Sequence, residues 1–396
     1  MAAVGFGRLA PNMNLFTDSD SRAAPADPAA ERRALVALSA VPGVGPARLR
    51  ALVSAFGSAG RVVEAPPARL AAVEGVGPAT ARAIASFDVD AVADEQMARA
   101  ERCGARLVTF ADAAYPEALG RIYDPPSLLW VRGELAPQDA RAVAVVGTRR
   151  ATPEGLRAAH ALGRDLAGER VTVVSGLAYG IDIEAHRGAL DGDGRTVAVL
   201  GSGVDRIYPS RHRREVERIL DGRGAVVSEL PLGAAPDAGN FPRRNRIVAG
   251  MSVATVVVEA YARGGALLTA MMALEQNREV FAFPVAVGAE PQGTNEFIRR
   301  GFAALATGAD HVLADIEAIL PAASDAAPEP AAAAPLPDDL TRDERALLEA
   351  LDATPTPLDT LCAASGLDTS TALVYLLQLE FRGLVRQLAG KQFYRA

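Results

Sequence analysis

Three arginines stand close together in the segment NFPRRNRIVAGMS, residues 240–252, of a 396-residue chain whose formal net charge is −7. They are Arg243, Arg244 and Arg246, and no carboxylate occurs between Asp237 and Glu259 to pair with them. Guanidinium groups bind phosphate through two parallel hydrogen bonds. Exposed carboxylates elsewhere are screened beyond about 8 Å at physiological salt, so an acidic total does not oppose a local phosphate site.

The same segment offers an aromatic ring beside its arginines. Phe241 precedes the stiff Pro242, and a base stacked on such a ring contributes about 1–3 kcal/mol. Asn245 can fix a loop carbonyl or hydrogen-bond a base edge. The alternative is that Phe241 fills the core and the arginines pair with Glu229 or Glu259. We expect the segment to start a helix and to bind nucleic acid.

Short apolar runs, separated by helix-length segments, occupy residues 141–315. Continuous apolar strands of this kind are typical of a parallel sheet covered by helices on both faces, so we expect an α/β, doubly wound, Rossmann-like domain. The runs are AVAVV (142–146), VTVV (171–174), TVAVL (196–200), AVV (225–227), ATVVV (254–258) and EVFAF (279–283).

Small and polar residues follow each run at once, at the carboxyl edge where ligands bind in open α/β sheets. A second pair of arginines directly follows the first run, and a serine-glycine pair follows the second. We therefore expect a phosphate-bearing chain to contact the residues of these two loops, which are Gly147, Thr148, Arg149, Arg150, Ser175 and Gly176.

Cofactor-binding signatures are missing from this edge. A dinucleotide fingerprint needs G-x-G-x-x-G after the first strand, which instead leads into GTRRATPEG, and Gly201-x-Gly203 ends on Arg206 where the third glycine belongs. The single lysine is Lys391, which excludes a phosphate-loop or Schiff-base lysine from the body of the chain. We expect no cofactor and no metal.

Catalytic alternatives rest on few residues. Asp182 and His186 share a helix face, but two ligands do not make a zinc site, and we expect Asp182 to cap the helix and His186 to be hydrogen-bonded. Ser175 lacks the G-x-S-x-G context of a nucleophile. Glu259 ends a strand at the crevice edge and is the best single carboxylate for chemistry, although one carboxylate specifies no reaction. We expect no catalytic residue.

An internal repeat precedes the central domain. LSAVPGVGPARLRALVSAF (38–56) and LAAVEGVGPATARAIASF (70–87) each place a G-V-G-P turn between two helical stretches, which indicates a tandem (SAM-like) helix-hairpin-helix. Glycine turns at helix starts leave backbone N–H groups for phosphates, although such hairpins also serve only as packing units. The candidate phosphate contacts are Gly43, Gly45, Gly75 and Gly77.

Composition divides the rest of the chain. No apolar run is long enough to span a membrane, the first residues lack a signal-peptide pattern, and the two cysteines support neither a disulfide framework nor a metal site, so we expect a cytoplasmic protein. The expected regions are a disordered tail (1–30), the hairpin domain (31–90), a connection (91–140), the Rossmann-like domain (141–320), an Ala/Pro linker (321–337) and a small terminal domain (338–396).

The terminal domain has the pattern of three helices and a hairpin. Thr341 and Glu344 form a capping box signature. The third helix, from about Ser370 to Arg382, has a single basic residue, so major-groove reading is not expected of it. The hairpin VRQLAGKQFYR could contact phosphates, and a role in protein interaction is the open alternative.

Taken together, these motifs resemble the DprA/Smf family of DNA-processing proteins. The matching stretches are VAVVGTRRATPEG (143–155), VVSGLAYGIDIEAHRGAL (173–190), TVAVLGSGVDRIYP (196–209), VVSELPLG (226–233), FPRRNRIVAGMS (241–252), VVVEAYARGGALLTAMMALEQNREVFAFP (256–284) and GTNEFIRRGFAAL (293–305). The hairpin domain and a winged-helix terminal domain also resemble the arrangement in some members.

The resemblance implies a non-catalytic, dimeric protein that binds and protects incoming single-stranded DNA without sequence preference and loads the RecA recombinase on it during natural transformation. It implies DNA contacts by the Gly147 to Arg149 loop and the Phe241 to Arg246 segment, and a dimer face near Ile298 and Phe302. The rival is a nucleotide phosphoribohydrolase-like enzyme that uses Glu259. A pure interaction scaffold is the third reading.

Overall fold

The computed structural model describes residues 27–221, 224–286, 288, 290–321, 340–351, 356–382, 384–388 and 392–395. The chain forms two compact units, Met1–Asp325 and Ala326–Ala396. Most of the expected tail and linker, together with Lys391, lies outside the described residues. The first helix begins at Pro28, where the side chain of Asp27 accepts a hydrogen bond from Ala29 N.

Six helices build the N-terminal part of the first unit. They are α1 (Pro28–Ala40), α2 (Pro46–Phe56), α3 (Ala59–Glu64), α4 (Pro67–Ala71), α5 (Pro78–Ala85) and α6 (Val89–Cys103). Gly43 and Gly75 adopt φ values of +84° and +78° in the two turns. Gly45 and Gly77 are the N-cap residues of α2 and α5, and a proline follows each. The tandem helix-hairpin-helix is confirmed.

A nine-stranded sheet forms the centre of this unit. Its strands are β1 (Ala105–Thr109), β2 (Leu128–Gly133), β3 (Ala142–Gly147), β4 (Thr172–Ser175), β5 (Thr196–Val199), β6 (Gly224–Ser228), β7 (Ala254–Glu259), β8 (Glu279–Ala282) and β9 (Ala304–Leu305). The flanking helices are α7 (Glu117–Gly120), α8 (Pro153–Gly168), α9 (Ile181–Asp191), α10 (Arg213–Leu220), α11 (Asn240–Gly250), α12 (Gly265–Glu275), α13 (Gly293–Arg299) and α14 (Ala309–Ile316), with 3-10 turns at Pro137–Arg141 and Ser210–His212.

The strand order β1-β2-β6-β5-β4-β3-β7-β8-β9 reverses direction at β3. From β3 the chain adds β4, β5 and β6 on one side, and then returns to add β7, β8 and β9 on the other. All pairs from β6 to β9 are parallel. The boundary between β3 and β7 is therefore the topological switch point, where open α/β sheets bind ligands. The doubly wound fold is confirmed.

Both faces of the sheet are buried because its strands are apolar throughout. Along β3, Ala144 and Val146 point into the core on one face and Val143 and Val145 into the core on the other. This two-sided burial agrees with the unbroken apolar runs in the sequence.

Residues 91–140, expected to form a connection, lead from the helical domain to β3. They supply most of α6 and the antiparallel strands β1 and β2, and β2 pairs with β6 at the sheet edge. Trp130 of β2 is fully buried and packs in the same hydrophobic core as Leu35 and Leu52 of the helical domain. The helical domain and the edge of the sheet therefore share one hydrophobic core.

The second unit has the expected three helices and hairpin. Its elements are α15 (Arg342–Glu349), β10 (Thr356–Pro357), α16 (Leu358–Ser365), α17 (Thr369–Phe381), β11 (Val385–Leu388) and β12 (Gln392–Arg395). The capping box is present, since Glu344 N donates to Thr341 Oγ1 and Thr341 N donates to Glu344 Oε2. On α17, Val374 and Leu377 are exposed.

Two further expectations concern the whole chain. Cys103 and Cys362 are free thiols. Within the part of the chain that the structure describes, every helix is too short or too polar to cross a lipid bilayer.

Candidate nucleic-acid interface

A crevice of about 680 Å³ lies at the switch point of the sheet. It is bounded by the loops that follow β3, β4 and β7 and by the first turns of α11 and α12. Of the predicted residues, the crevice brings together Gly147, Thr148, Arg149, Arg150, Gly176, Phe241, Arg244 and Asn245. It does not include Ser175, Arg243 or Arg246 among its lining residues.

Two glycines allow the loops to approach each other beneath the crevice. A Cβ atom on Gly176 would lie 2.0 Å from a guanidinium nitrogen of Arg244, and one on Gly147 would lie 2.3 Å from the side chain of Ile181. Any other residue at either position would therefore displace its neighbour. Ser175 was expected to contact the ligand, but it is fully buried and its Oγ donates to Val145 O at 2.6 Å. Its prediction as part of the binding surface is wrong.

The arginine segment is helical from Asn240 onward, so it forms the first turns of α11 itself. Because a helix turns every 3.6 residues, its side chains separate onto two faces. Phe241, Arg244 and Asn245 line the crevice, whereas Arg243 and Arg246 line a second cavity on the opposite side of α11.

Phe241 lies in the wall of the crevice, where one edge of its ring packs against Gly201 and the side chain is only half-buried. A Cβ atom on Gly201 would lie 2.8 Å from its ring, so a glycine is required there. The guanidinium carbon of Arg149 lies 5.0 Å from the ring centroid, within the range of a cation–π contact. The Tyr208 ring centroid lies 5.7 Å away, inclined by 38°. Phe241 is half-buried and is not a core plug.

Arg244 forms part of the crevice floor. Only 5% of it is exposed, and its NH1 donates to Val199 O at 2.5 Å. Burial lowers the pKa of Arg244 to about 10, although the nearby Asp182 carboxylate opposes this shift. Burial likewise raises the pKa of Asp182, whose Oδ2 accepts from Gly176 N at 3.2 Å. Asp182 therefore braces the glycine loop, and the expectation that it caps its helix is wrong, since the N-cap of α9 is Gly180.

Arg246 is paired with carboxylates from two other parts of the chain. Its NH1 and NH2 donate to the two oxygens of Glu229, at 2.9 and 2.6 Å, and its Nε donates to Asp124 at 2.8 Å. Burial acts to lower the pKa of Arg246, but Glu229 and Asp124 raise it overall. The expectation that all three arginines lack carboxylate partners is wrong for Arg246. Its pairing with Glu229 is the alternative that the sequence had left open.

Three other arginines keep their charges available. Arg149, Arg150 and Arg243 are exposed, and no carboxylate among the described residues pairs with any of them. Asn245 Nδ2 donates to Gly265 O at 3.4 Å, at the start of α12. Of these three arginines, Arg149 and Arg150 line the crevice, whereas Arg243 lines the cavity on the other side of α11.

Aromatic residues at the rim were missed by sequence reasoning. Tyr208 and Tyr261 line the crevice, and about two fifths of each side chain is exposed, 41% and 40%. Both follow apolar runs, in VDRIYP and VVVEAY. Their position after strand ends was a signal that both rings would reach the crevice edge.

Of the residues considered for catalysis, Glu259, His186 and Ser175 do not line the crevice, whereas Asp182 does. Glu259 is 2% exposed, and its Oε2 accepts from Thr152 N at 2.9 Å, at the start of α8. His186 is hydrogen-bonded to Thr196 Oγ1 at 2.6 Å, as expected, and burial lowers its pKa to about 3. Among the described lining residues of the crevice, the single carboxylate is Asp182. No cluster of potential metal ligands occurs in the described ranges.

The hairpin glycines occupy different positions relative to α11. We call the second cavity, of about 580 Å³, the hairpin cavity; Gly45, Gly75, Arg48, Arg50, Asp124, Arg243 and Arg246 are among the residues that line it. Arg48 joins the two turns by donating to Gly43 O and Gly75 O, at 2.5 and 2.7 Å. Gly77 is exposed and does not line this cavity.

Ile298 and Phe302 lie near the outer edge of the sheet. Ile298 is half-buried against the core, and Phe302 is exposed and stacks edge-on against Phe297 at 5.5 Å. The adjacent edge strand β9 exposes Leu305.

Three protein-family models match the chain. DNA recombination-mediator protein A covers residues 106–317, the DprA winged helix domain covers 329–391, and the SAM-like helix-hairpin-helix tandem covers 35–87. The first of these contains the whole nine-stranded sheet except its first residue.

Relatives include Protein Smf of Synechocystis sp., which is 35% identical over 320 residues, covering 73% of this chain and 80% of that protein. Protein Smf of Escherichia coli is 39% identical over 277 residues, covering 70% and 74%. The DNA processing protein DprA of Streptococcus pneumoniae is 39% identical over 207 residues, covering 52% and 72%. The X-ray structure of that protein superimposes with a TM-score of 0.60 and 29% identity, covering 71% of this chain and 95% of the other.

Proposed function

The chain belongs to the DNA recombination-mediator protein A family, and from this we propose that it binds single-stranded DNA in the crevice without sequence preference, as part of a DNA-processing role in transformation and homologous recombination. It acts by binding and protecting the strand, not by catalysis. One observation carries the proposal. The half-buried ring of Phe241 lies in the same crevice as Arg149 and Arg150, and neither arginine has a carboxylate partner among the described residues.

Each part of the crevice has a distinct task in this proposal. Arg149 and Arg150 neutralise phosphates, while a base stacks beside Phe241 and against the neighbouring Tyr208. The Arg149 guanidinium, which lies over the Phe241 ring, is free to turn toward a phosphate because no carboxylate of the described residues pairs with it. Arg244 does not contact phosphate and instead supports the floor.

Sequence independence follows from the same chemistry. Every base has a π-face, so stacking does not discriminate strongly between bases. Asn245 is the one side-chain amide among the described lining residues, and its Nδ2 already donates to Gly265 O.

Binding experiments with a fluorescent oligothymidine at two salt concentrations test this proposal. We expect Phe241→Ala to weaken binding by about 5- to 150-fold with little change in salt dependence, since it removes stacking but no charge. We expect Arg149→Ala/Arg150→Ala to weaken binding and flatten the salt dependence. The matched control is Arg102→Ala/Arg106→Ala, which removes two exposed arginines that do not line the crevice. Equal binding by all four proteins would refute the proposal.

The proposal extends to a homodimer. Exposed Phe302 and Leu305, beside Ile298 and the two-residue edge strand β9, form an apolar surface at an open sheet edge, the kind of surface that association covers. We expect Phe302→Glu/Leu305→Glu to be monomeric in sedimentation velocity. Met97→Glu, at an exposed apolar residue of α6, is the control that should leave the association state unchanged.

The RecA recombinase is the proposed protein partner, and the cytoplasm the proposed compartment. The support is the family description, which names a recombination mediator. The test is assembly of RecA on single-stranded DNA already covered by a single-strand-binding protein, with and without this protein. Assembly that is no faster in its presence would refute recombinase loading while leaving DNA binding intact.

A further inference from the structure

The hairpin cavity lies on the face of α11 opposite the crevice and is lined by four arginines, Arg48, Arg50, Arg243 and Arg246. Arg246 is neutralised by its carboxylate partners. The positive charges of the other three arginines are only partly balanced by described carboxylates, or not at all. Arg48 donates to two carbonyl oxygens, Arg50 has one carboxylate contact of 3.3 Å and a buried NH1 with no acceptor, and no described carboxylate pairs with Arg243.

Carboxylates in the same cavity do not cancel these charges. Glu229 and Asp124 are both held by Arg246, and Asp124 is shared with Arg50. Glu74 is the remaining acidic side chain among the described lining residues. The balance is therefore positive, and a phosphate group is the ligand chemistry that guanidinium donors favour.

Backbone donors point to the same ligand. The helix α2 begins at Pro46 without a side-chain cap, and Ala47 and Arg48, in its first turn, line the cavity. First-turn N–H groups have no acceptor within their helix, so they are available to an anion.

An exposed ring is adjacent in the chain to one of the lining residues. Tyr123 is fully exposed, directly precedes Asp124 of the cavity lining, and is followed by the stiff Pro125 and Pro126. A solvent-accessible ring one residue from the cavity lining is a candidate surface on which a base can stack. Arg243 lies between the two sites: it follows the crevice residues Phe241 and Pro242, and its NH1 lies 3.8 Å from the position that a Cβ on Gly45 would occupy.

We propose that the hairpin cavity is a second subsite for the same single-stranded DNA, which leaves the crevice over the first turn of α11 at Arg243 and continues past Arg48 and Arg50 to a base stacked on Tyr123. This rests on the proposed function of the crevice. The helix-hairpin-helix domain thus lengthens the DNA track through its first hairpin turn, at Gly45, and the second turn serves to hold Arg48.

Two lengths of fluorescent oligothymidine, about 4 and about 16 nucleotides, test the subsite; they span the site sizes of single OB-fold domains that bind single strands. We expect the wild-type protein to bind the longer strand more tightly. Tyr123→Ala and Arg243→Ala should each weaken binding of the longer strand by about fivefold or more and leave the shorter strand within about twofold. Both side chains are exposed and unpaired in the described part of the chain, so neither change threatens folding.

Matched variants complete the design. Tyr123→Phe keeps the ring and should retain wild-type affinity for both strands, and Arg102→Ala, an exposed arginine of α6 that does not line the cavity, should do the same. Phe241→Ala should weaken both strands, because it acts in the crevice. Wild-type affinity of Tyr123→Ala and Arg243→Ala for the longer strand, with Phe241→Ala still defective, would overturn the second subsite alone. No binding of either strand would overturn both proposals.

Discussion

Replacement of Arg246 by methionine should destabilise the first unit rather than remove a DNA contact. Arg246 and Glu229 form a bidentate ion pair with oxygen–nitrogen distances of 2.9 and 2.6 Å, and their side chains are 8% and 5% exposed. Arg246→Met leaves the Glu229 carboxylate buried without its partner. Asp124, whose side chain is 33% exposed, loses a contact too but can be hydrated.

The size of the loss follows from these burials. Removal of one partner from a buried ion pair costs about 3–5 kcal/mol, because the remaining charge is uncompensated. Asp124 keeps its contact with Arg50 and its side chain is partly hydrated, so its loss of Arg246 is a minor part of this cost. We expect the free energy of unfolding of Arg246→Met to fall by about 3–5 kcal/mol.

Urea denaturation followed by tryptophan fluorescence measures this quantity, since the one tryptophan, Trp130, is fully buried in the first unit. The neighbouring Arg243→Ala is the control: it is exposed and unpaired among the described residues, and should change stability by less than about 0.5 kcal/mol. The double variant Arg246→Met/Glu229→Gln should be more stable than Arg246→Met, because glutamine removes the orphaned charge. A loss below about 1 kcal/mol for Arg246→Met, or no recovery in the double variant, would refute the assignment of Arg246 as a structural residue.

Three further outcomes are expected. Burial lowers the pKa of His186 in the folded chain to about 3, so the unfolded chain binds this proton at higher pH than the folded chain does. The free energy of unfolding should therefore fall as the pH drops from about 6.5 toward 3. Urea denaturation at several pH values should show a shallower fall for a His186→Gln variant. Gly176→Ala should displace Arg244, from which its Cβ would be 2.0 Å, and lower the free energy of unfolding by about 1–3 kcal/mol in urea. The logarithm of the affinity for oligothymidine should fall with the logarithm of salt concentration, and the slope should shrink by about 0.7 for each of Arg149 and Arg150 removed, as measured by titration across a salt series.

Sequence patterns predicted the central sheet because parallel strands are buried on both faces and so appear as unbroken apolar runs. They also predicted which loops meet, since every such strand ends at the same edge. The stretch YDPPSLLWVRGEL (123–135) resembles a strand laid against the central domain and contains β2, but its antiparallel partner β1 was not predicted. The pairing of β1 with β2, and of β2 with β6, joins residues that are far apart in the chain. The packing of Trp130, in β2, against the helical domain is visible only in the structure.

The arginine segment shows why composition alone assigns roles poorly. Its local sequence contains no carboxylate, yet Arg246 pairs with Glu229 and Asp124, which are 17 and 122 positions away. Its helical phase, which sends Arg244 to the crevice floor and Arg243 to the opposite side, depends on where α11 begins. Ser175 was misassigned for a related reason: it ends a strand at the correct edge, but its side chain points inward to Val145 O.

Ultraviolet cross-linking of oligothymidine to the protein, with the attached residues located by mass spectrometry, tests the central claim most directly. We predict cross-links at Phe241 and Tyr208, whose rings lie side by side at the crevice, and their loss in the presence of excess unlabelled strand. Cross-links confined to other parts of the chain, with none in the peptides that carry these two rings, would contradict the crevice as the site of DNA binding.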